Sequence, residues 1–406
     1  MKSCKNLLAL SIATIISASA TADIKYLNES DLNADSKIYK PDSQSGFYIA
    51  SNTRYQSSAS ESSIEWDNHD ETVFQTALTL GYESDYFKDF IGFEIRHHGV
   101  FSIDNSISGF SQNEGNLKAK LNENAELRFG DLILDLPLMK NKVDMVTPAL
   151  TRSLAVNTNF NDTNIYYLRA FENIGSYEAG FDSHDAEIFA GDTDVHILGL
   201  SSDIQNWEYH LSAGTQYDFK TKFYGEIQSP DYKIMSTDIS FMVNGGYTSS
   251  EGILKEYYSQ NNETESAGWY SAKIDFTKGN TNVFLTGQNI SDSDGMEADA
   301  SWFGGSYLDF MGYNNSQISD FSSPDMRSWS AGVSHEILDG LKAEAVYIKG
   351  NSAYSNEKEY NLSLSYKHPE YPILASIQHG KNTFEEGDDI TQIKDTIASI
   401  RFLHTF

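Results

Sequence analysis

The chain is poor in cysteine, in proline and in positive charge, and beyond its first two dozen residues it has no long hydrophobic run. Its single cysteine, Cys4, precedes an apolar stretch near the N-terminus. Downstream of that stretch there is no thiol, which excludes disulfides as the source of stability. Closing a sheet into a barrel is another source, because closure leaves no open strand edge. Lys and Arg number 29 against 58 Asp and Glu, a formal net charge of −29. That balance argues against nucleic-acid binding, which depends on basic patches. Mean hydropathy is −0.45, so no helical membrane span is expected after the first residues. The seven prolines form no linker, and no repeat is visible beyond a hairpin rhythm.

Aromatic residues are plentiful: 24 Tyr and 23 Phe, with aromatics at 13% of the chain. An acidic disordered chain is poor in aromatics, so this one folds. The N-terminus carries Lys2 and Lys5, then the apolar run Asn6 to Ser17, then two small-x-small sites ending at Ala20 and Ala22. This is the pattern of a secretory signal. The apolar run is shorter than the ~20 residues a spanning helix needs. Residues 1–22 are therefore expected to be removed after Ala22, residues 23–45 to form a polar periplasmic lead, and residues 46–406 to form the folded body.

Within that body the apolar residues recur at period two, the mark of strands with one apolar and one polar face. Tyr360, Leu362, Leu364 and Tyr366 share one face, and Asn361, Ser363, Ser365 and Lys367 the other. Phe74, Thr76, Leu78, Leu80 and Tyr82 oppose Gln75, Ala77, Thr79, Gly81 and Glu83. The same reading applies at Trp207–Ala213, Tyr270–Phe276 and Trp329–Ile337. Apolar faces often begin or end in Tyr or Trp, as in the aromatic girdles of membrane barrels, and polar faces of Ser, Gly, Gln and Asn suit a water-filled lumen. The expectation is an all-β transmembrane antiparallel β-barrel. At roughly 20 residues per strand and connection, it would have about 18 strands, with 16 as the alternative.

The last strand, Ile400 to Phe406, ends on phenylalanine and places Ile400, Phe402 and Phe406 on one face, with His404 where an aromatic is more usual. It resembles the C-terminal signal of bacterial outer-membrane barrels, which implies outer-membrane lipid and the barrel-assembly machinery as partners. Three further stretches, in order, resemble the OprD family of substrate-selective outer-membrane porins, including its chitoporin-like members. They are Leu127 to Leu138 (LRFGDLILDLPL), Phe321 to Val333 (FSSPDMRSWSAGV) and Gly340 to Gly350 (GLKAEAVYIKG). In that family the first stretch is a strand ending in Arg-x-Gly, followed by an apolar turn and Pro, and the segment after it folds into the barrel as a constriction. The resemblance implies a multi-pass porin of the outer membrane, passive or substrate-selective, carrying amino acids, carboxylates or oligosaccharides, with no cofactor and no reaction chemistry. Val143 to Pro148 matches the family's constriction at Asp144 and Pro148 but lacks the arginine between them, and Arg152 is the nearest replacement.

Alternation places Arg96, Lys118, Lys120, Glu126, Arg128, Arg169, Lys273 and Lys367 on the polar, lumenal face, a mostly basic set. Arg128 stands out because it immediately precedes the inward-folding segment. Asp131, Asp135, Asp144 and Asp309 would instead favour cations or basic amino acids. Trp302, Tyr307 and Phe310 belong to the longest loop and are candidates for stacking on sugars. His97 and His98 are adjacent on a strand and cannot chelate one metal together. Asp292 to Asp299 lacks the spacing of a calcium loop, so no metal site is assigned. A barrel enzyme would need a nucleophile–His constellation, and no Gly-x-Ser-x-Gly is present. A closed adhesin or receptor barrel is the remaining alternative, and association of barrels into oligomers stays open.

Overall fold

The computed structural model describes residues 45–62, 69–102, 110–141, 147–174, 182–183, 194–261, 264–291, 321, 323–353, 355–368, 373–387 and 389–405. The strands, in chain order, are β1 (Gly46–Ser62), β2 (His69–Glu83), β3 (Ile91–Ser102), β4 (Phe110–Asn122), β5 (Ala125–Leu132), β6 (Asp135–Leu136), β7 (Met139–Lys140), β8 (Leu150–Phe160), β9 (Thr163–Ile174), β10 (Asp182–Ser183) and β11 (Val195–Ile204). They continue as β12 (Trp207–Gln216), β13 (Lys220–Gln228), β14 (Tyr232–Ile234), β15 (Thr237–Ser250), β16 (Ser266–Lys278), β17 (Thr281–Ile290), β18 (Arg327–Leu338), β19 (Leu341–Asn351), β20 (Asn356–Lys367), β21 (Ile373–Glu386) and β22 (Asp389–Thr405). Among the described residues one helix, α1 (Gly252–Asn261), lies between β15 and β16 and packs Leu254 with Phe219 and Tyr258.

Eighteen of the strands form a closed antiparallel barrel. Each pairs with its neighbours in sequence, and β1 pairs with both β2 and β22, so the ring has no edge. The strand number matches the larger of the two sequence-based expectations. β6 and β7 pair only with each other, while β10 and β14 are short additions to β9 and β15. Tight turns such as 205–206, 279–280 and 339–340 lie at the end where the barrel's chain begins and finishes. Gln205 and Asn206 both have positive φ, the two-residue geometry whose twist matches that of the flanking strands.

The two faces of the wall are written strand by strand. On β3, Gly92, Glu94, Arg96, His98 and Val100 are buried and point inward, while Ile91, Phe93, Ile95, His97 and Phe101 are exposed and point outward. The outer face is apolar in turn on Leu78, Leu80, Leu211, Phe223, Val243, Leu285, Leu362 and Ile400. A closed sheet that is oily outside and polar inside satisfies its backbone internally and fits hydrocarbon on its outer face. Aromatic rings bound this band on both sides. Phe47, Tyr82 and Phe93 adjoin one another near the turn end, with centroid separations of 4.7 and 5.7 Å. Trp329, Tyr347 and Tyr360 do so toward the loop end, at 5.4 and 4.7 Å.

Candidate functional site

The site is the lumen, and the connection between β5 and β8 shapes it. At the end of β5 the chain passes Gly130, whose φ of 130° admits few side chains, and a Cβ there would lie 2.3 Å from the Gly115 carbonyl oxygen. Only glycine lets the strand hand over so close to β4. The chain then runs through Leu132, Leu134, Leu136, Leu138 and Met139, all buried. These residues form one contiguous apolar cluster with Leu168, Ala170, Val195, Ile197, Tyr224, Trp269, Ile290 and Ile348. The partners on β9, β11, β13, β16, β17 and β19 belong to the inward faces of their strands, so the segment lies inside the barrel. Asn141 pins it. Its Oδ1 accepts from the Leu134 N–H at 2.5 Å, its own N–H donates to the Leu134 carbonyl at 2.8 Å, and its Nδ2 donates to Thr151 Oγ1 at 3.0 Å.

The wall made by β1 to β5 is of a different kind. Arg96 Nε lies 2.9 Å from Glu114 Oε2 and 3.4 Å from Glu94 Oε1. Glu94 also accepts from Tyr48 Oη at 3.2 Å and from Asn116 Nδ2 at 3.1 Å. His98 Nε2 is 2.5 Å from Glu114 Oε1, and its Nδ1 is 2.6 Å from Thr79 Oγ1. Lys118 donates to Glu83 at 2.5 Å. Tyr48 lies flat over Gly81, where a Cβ would sit 2.1 Å from the ring. Nearer the turn end, Lys120 Nζ stands 4.3 Å from the centre of the Tyr86 ring, and Tyr86 Oη donates to Glu126 at 2.5 Å. Burial first, and then the bond to Glu126, push the Tyr86 phenol above its ordinary pKa, so it remains a neutral donor. Glu126 also receives Arg128.

Most of the anticipated lumenal residues are where alternation put them. Arg96 and Lys118 are buried on the inner face, and Arg128 follows with only 12% of its side chain exposed. Lys273 faces inward beside Asp275 at 3.2 Å. Lys367 reaches the turn-end mouth, in a hollow lined also by Asn280, Glu336 and Lys342. Arg169 is a correction. The inward residues of β9 are Tyr166, Leu168 and Ala170, so Arg169 points outward, 5.0 Å from the Phe171 ring centre and bonded to Asp194 at 2.7 Å. Polarity misleads there because the inner wall is covered by the folded-in segment and is apolar.

The mostly basic wall is a second correction: Glu83, Glu94, Glu114 and Glu126 stand among the bases and pair with them. Alternation places Glu83 and Glu126 on the polar face from the sequence, and the same period-two rule applied to β3 and β4 adds Glu94 and Glu114. The buried Arg54, Lys220, Lys222, Glu357, Glu359 and Arg401 also lie on the inner face, where the same alternation puts them. Asp131 and Arg152 bond each other at 3.0 Å, and Arg152 also reaches Glu172 at 2.8 Å. Asp135 lies on β6. Asp144, Trp302, Tyr307, Asp309 and Phe310 fall outside the described residues.

The closed eighteen-strand barrel matches solved outer-membrane proteins in fold. The fold matches OpdK of Pseudomonas aeruginosa at a TM-score of 0.76 and 14% identity, covering 89% of this chain and 99% of that one. It matches OccK2 (OpdF) of the same organism, solved in complex with glucuronate, at 0.75 and 14%, covering 89% and 100%. OpdO, also of that organism, matches at 0.73 and 16%, covering 88% and 97%. These neighbours are porins of the OprD/Occ type, the kind the sequence resembles, and at this identity the likeness is one of fold. No protein-family model and no curated protein matches the chain.

Proposed function

We propose that this chain is a porin of the bacterial outer membrane, a diffusion channel for small polar nutrients. The observation that carries the reading is the segment around Leu132 to Asn141, held inside a closed barrel opposite a wall of paired charges. A constriction of that build admits solutes by size and by polar contacts, without reaction chemistry. The neighbours' folds support it, as does the presence of glucuronate with OccK2 and of vanillate with OpdK. Because Arg96, Lys118 and Arg128 are each matched by a carboxylate, this constriction favours neutral and zwitterionic solutes over simple carboxylates. Residues 1–22 serve as the export signal, 23–45 as the periplasmic lead, and the last strand as the handle for the assembly machinery.

An enzyme reading has one motif to answer. Thr79, His98 and Glu114 are linked as hydroxyl, imidazole and carboxylate. All three are buried, His98 completely, so a substrate does not reach the hydroxyl, and the trio serves to brace the wall. Conductance across planar bilayers tests the proposal, with glucuronate, vanillate, basic amino acids, neutral sugars and chitooligosaccharides as blockers. Discrete channel openings blocked by one class of solute are expected. A folded barrel that opens no channels, or one that hydrolyses peptide or lipid esters, would overturn it.

A further inference from the structure

The outward face near the loop end holds a cluster of cations that the channel does not use. Lys349 on β19 stands directly opposite Lys358 on β20, and Lys381 on β21 directly opposite Lys394 on β22. Tyr360 is the cross-strand partner of Lys381, and Trp329 that of Lys349. The lysines therefore sit at and just beyond the loop-side aromatic girdle, where lipid headgroups begin. Arg327, the first residue of β18, extends the group to a fifth consecutive strand. Like charges directly opposite each other on neighbouring strands are unfavourable, and here two such pairs lie side by side.

The protein offers these cations only partial compensation. Glu385 reaches Lys358 at 3.2 Å and Glu61 reaches Lys394 at 3.2 Å. Asp325 lies 3.7 Å from Arg327. Lys349 and Lys381 have no ion-pair partner among the described residues. Elsewhere on the loop side, Arg169 and Arg152 are bonded by carboxylates at 2.7 to 3.0 Å. Five cations on one outward sector run against the composition of a chain with twice as many acids as bases.

We propose that this sector binds the phosphorylated headgroup of an outer-leaflet glycolipid. A phosphate monoester brings more than one negative charge and three acceptor oxygens, and lysines serve it as point charges. Placed between opposed lysines, it turns two repulsive pairs into one shared anion site, while the acyl chains lie on the apolar band below the girdle. The assignment rests on the outer-membrane reading above, which puts the loop end in the outer leaflet.

The test uses the full barrel in phosphatidylcholine nanodiscs, with or without lipid A carrying both phosphates or with its dephosphorylated form. Native mass spectrometry reads retained lipid, and acylation of amines reads access to Lys349 and Lys381. Wild type is expected to retain the phosphorylated lipid and to show at least tenfold slower acylation of both lysines in its presence. The variant K349Q/K358Q/K381Q/K394Q should lose that retention at least tenfold, with channel conductance unchanged. Equal retention by wild type and variant, equal retention of the dephosphorylated lipid, or equal protection by inorganic phosphate alone would overturn the proposal. Should the variant fail to assemble, the acylation comparison on wild type decides alone. Lipid binding in a barrel that conducts nothing would sink the channel reading and leave this one standing.

Discussion

The inner surface of the barrel has two walls that solve opposite problems. Strands β1 to β5 present Tyr48, Arg96, His98, Glu94 and Glu114, a network in which each charge is matched within hydrogen-bonding distance. Strands β9 and β11 present Leu168, Ala170, Val195 and Ile197, on which the folded-in segment rests. One wall is braced by matched buried charges, and the other is a dry bed for a piece of the protein's own chain. The contrast teaches that a lumenal face need not be polar. It is polar where it meets the passage and apolar where it anchors whatever narrows the passage. The anchor must be dry to hold, since unpaired polar groups buried under the segment would cost free energy.

Breaking the anchor should have the largest effect on transport. Leu138→Asp places a carboxylate in the apolar cluster, which is strongly unfavourable. The segment should leave the wall, and single-channel conductance should rise severalfold while the barrel stays assembled. An unchanged conductance in the assembled variant would mean that the segment does not limit the pore. Breaking the charged wall should act on stability instead. Arg96→Leu leaves Glu94 and Glu114 buried without their cation, a loss of about 3–5 kcal/mol. It should appear as a lower temperature for heat-modified migration on gels, with conductance close to wild type.

Asn141→Ala sharpens the comparison at its seam, because Asn141 joins the segment to Thr151 on β8. Leaving the Leu134 N–H without its acceptor costs about 1–3 kcal/mol, too little to expel the segment. More frequent brief closures and openings in single-channel traces are expected. Arg128→Glu is the mildest for the fold and tests charge alone. It removes a cation beside Glu126 and adds an anion, so the reversal potential under a salt gradient should move toward cation preference. No movement in an assembled barrel would show that Arg128 lies away from the ion path.

Part of this was legible without the fold. Alternation in Phe74 to Glu83 and in Tyr360 to Lys367 gave each residue its face, since successive side chains of a strand point to opposite sides. The stretch from Leu127 to Leu138 announced a strand, a break at Gly130 and an apolar continuation. Arg169 marks where the reading failed. Its neighbours Leu168 and Ala170 look like lipid-facing residues, and in sequence nothing separates an apolar side chain facing lipid from one facing a buried segment. Glu94 and Glu114 show a second limit: their places on the inner face follow from period two, while their sharing of Arg96 depends on the register between β3 and β4, which pairs Arg96 with Glu114.

The sequence by itself determined that this chain makes an antiparallel barrel with an oily outside, because alternation, girdle aromatics and strand count are local and additive along the chain. Only the tertiary structure decided which inward residues meet the passage, which receive the segment, and which lysines of β19 to β22 face one another. Those are questions of register and of distant pieces coming together, and they are set by closure of the ring and by what fills it.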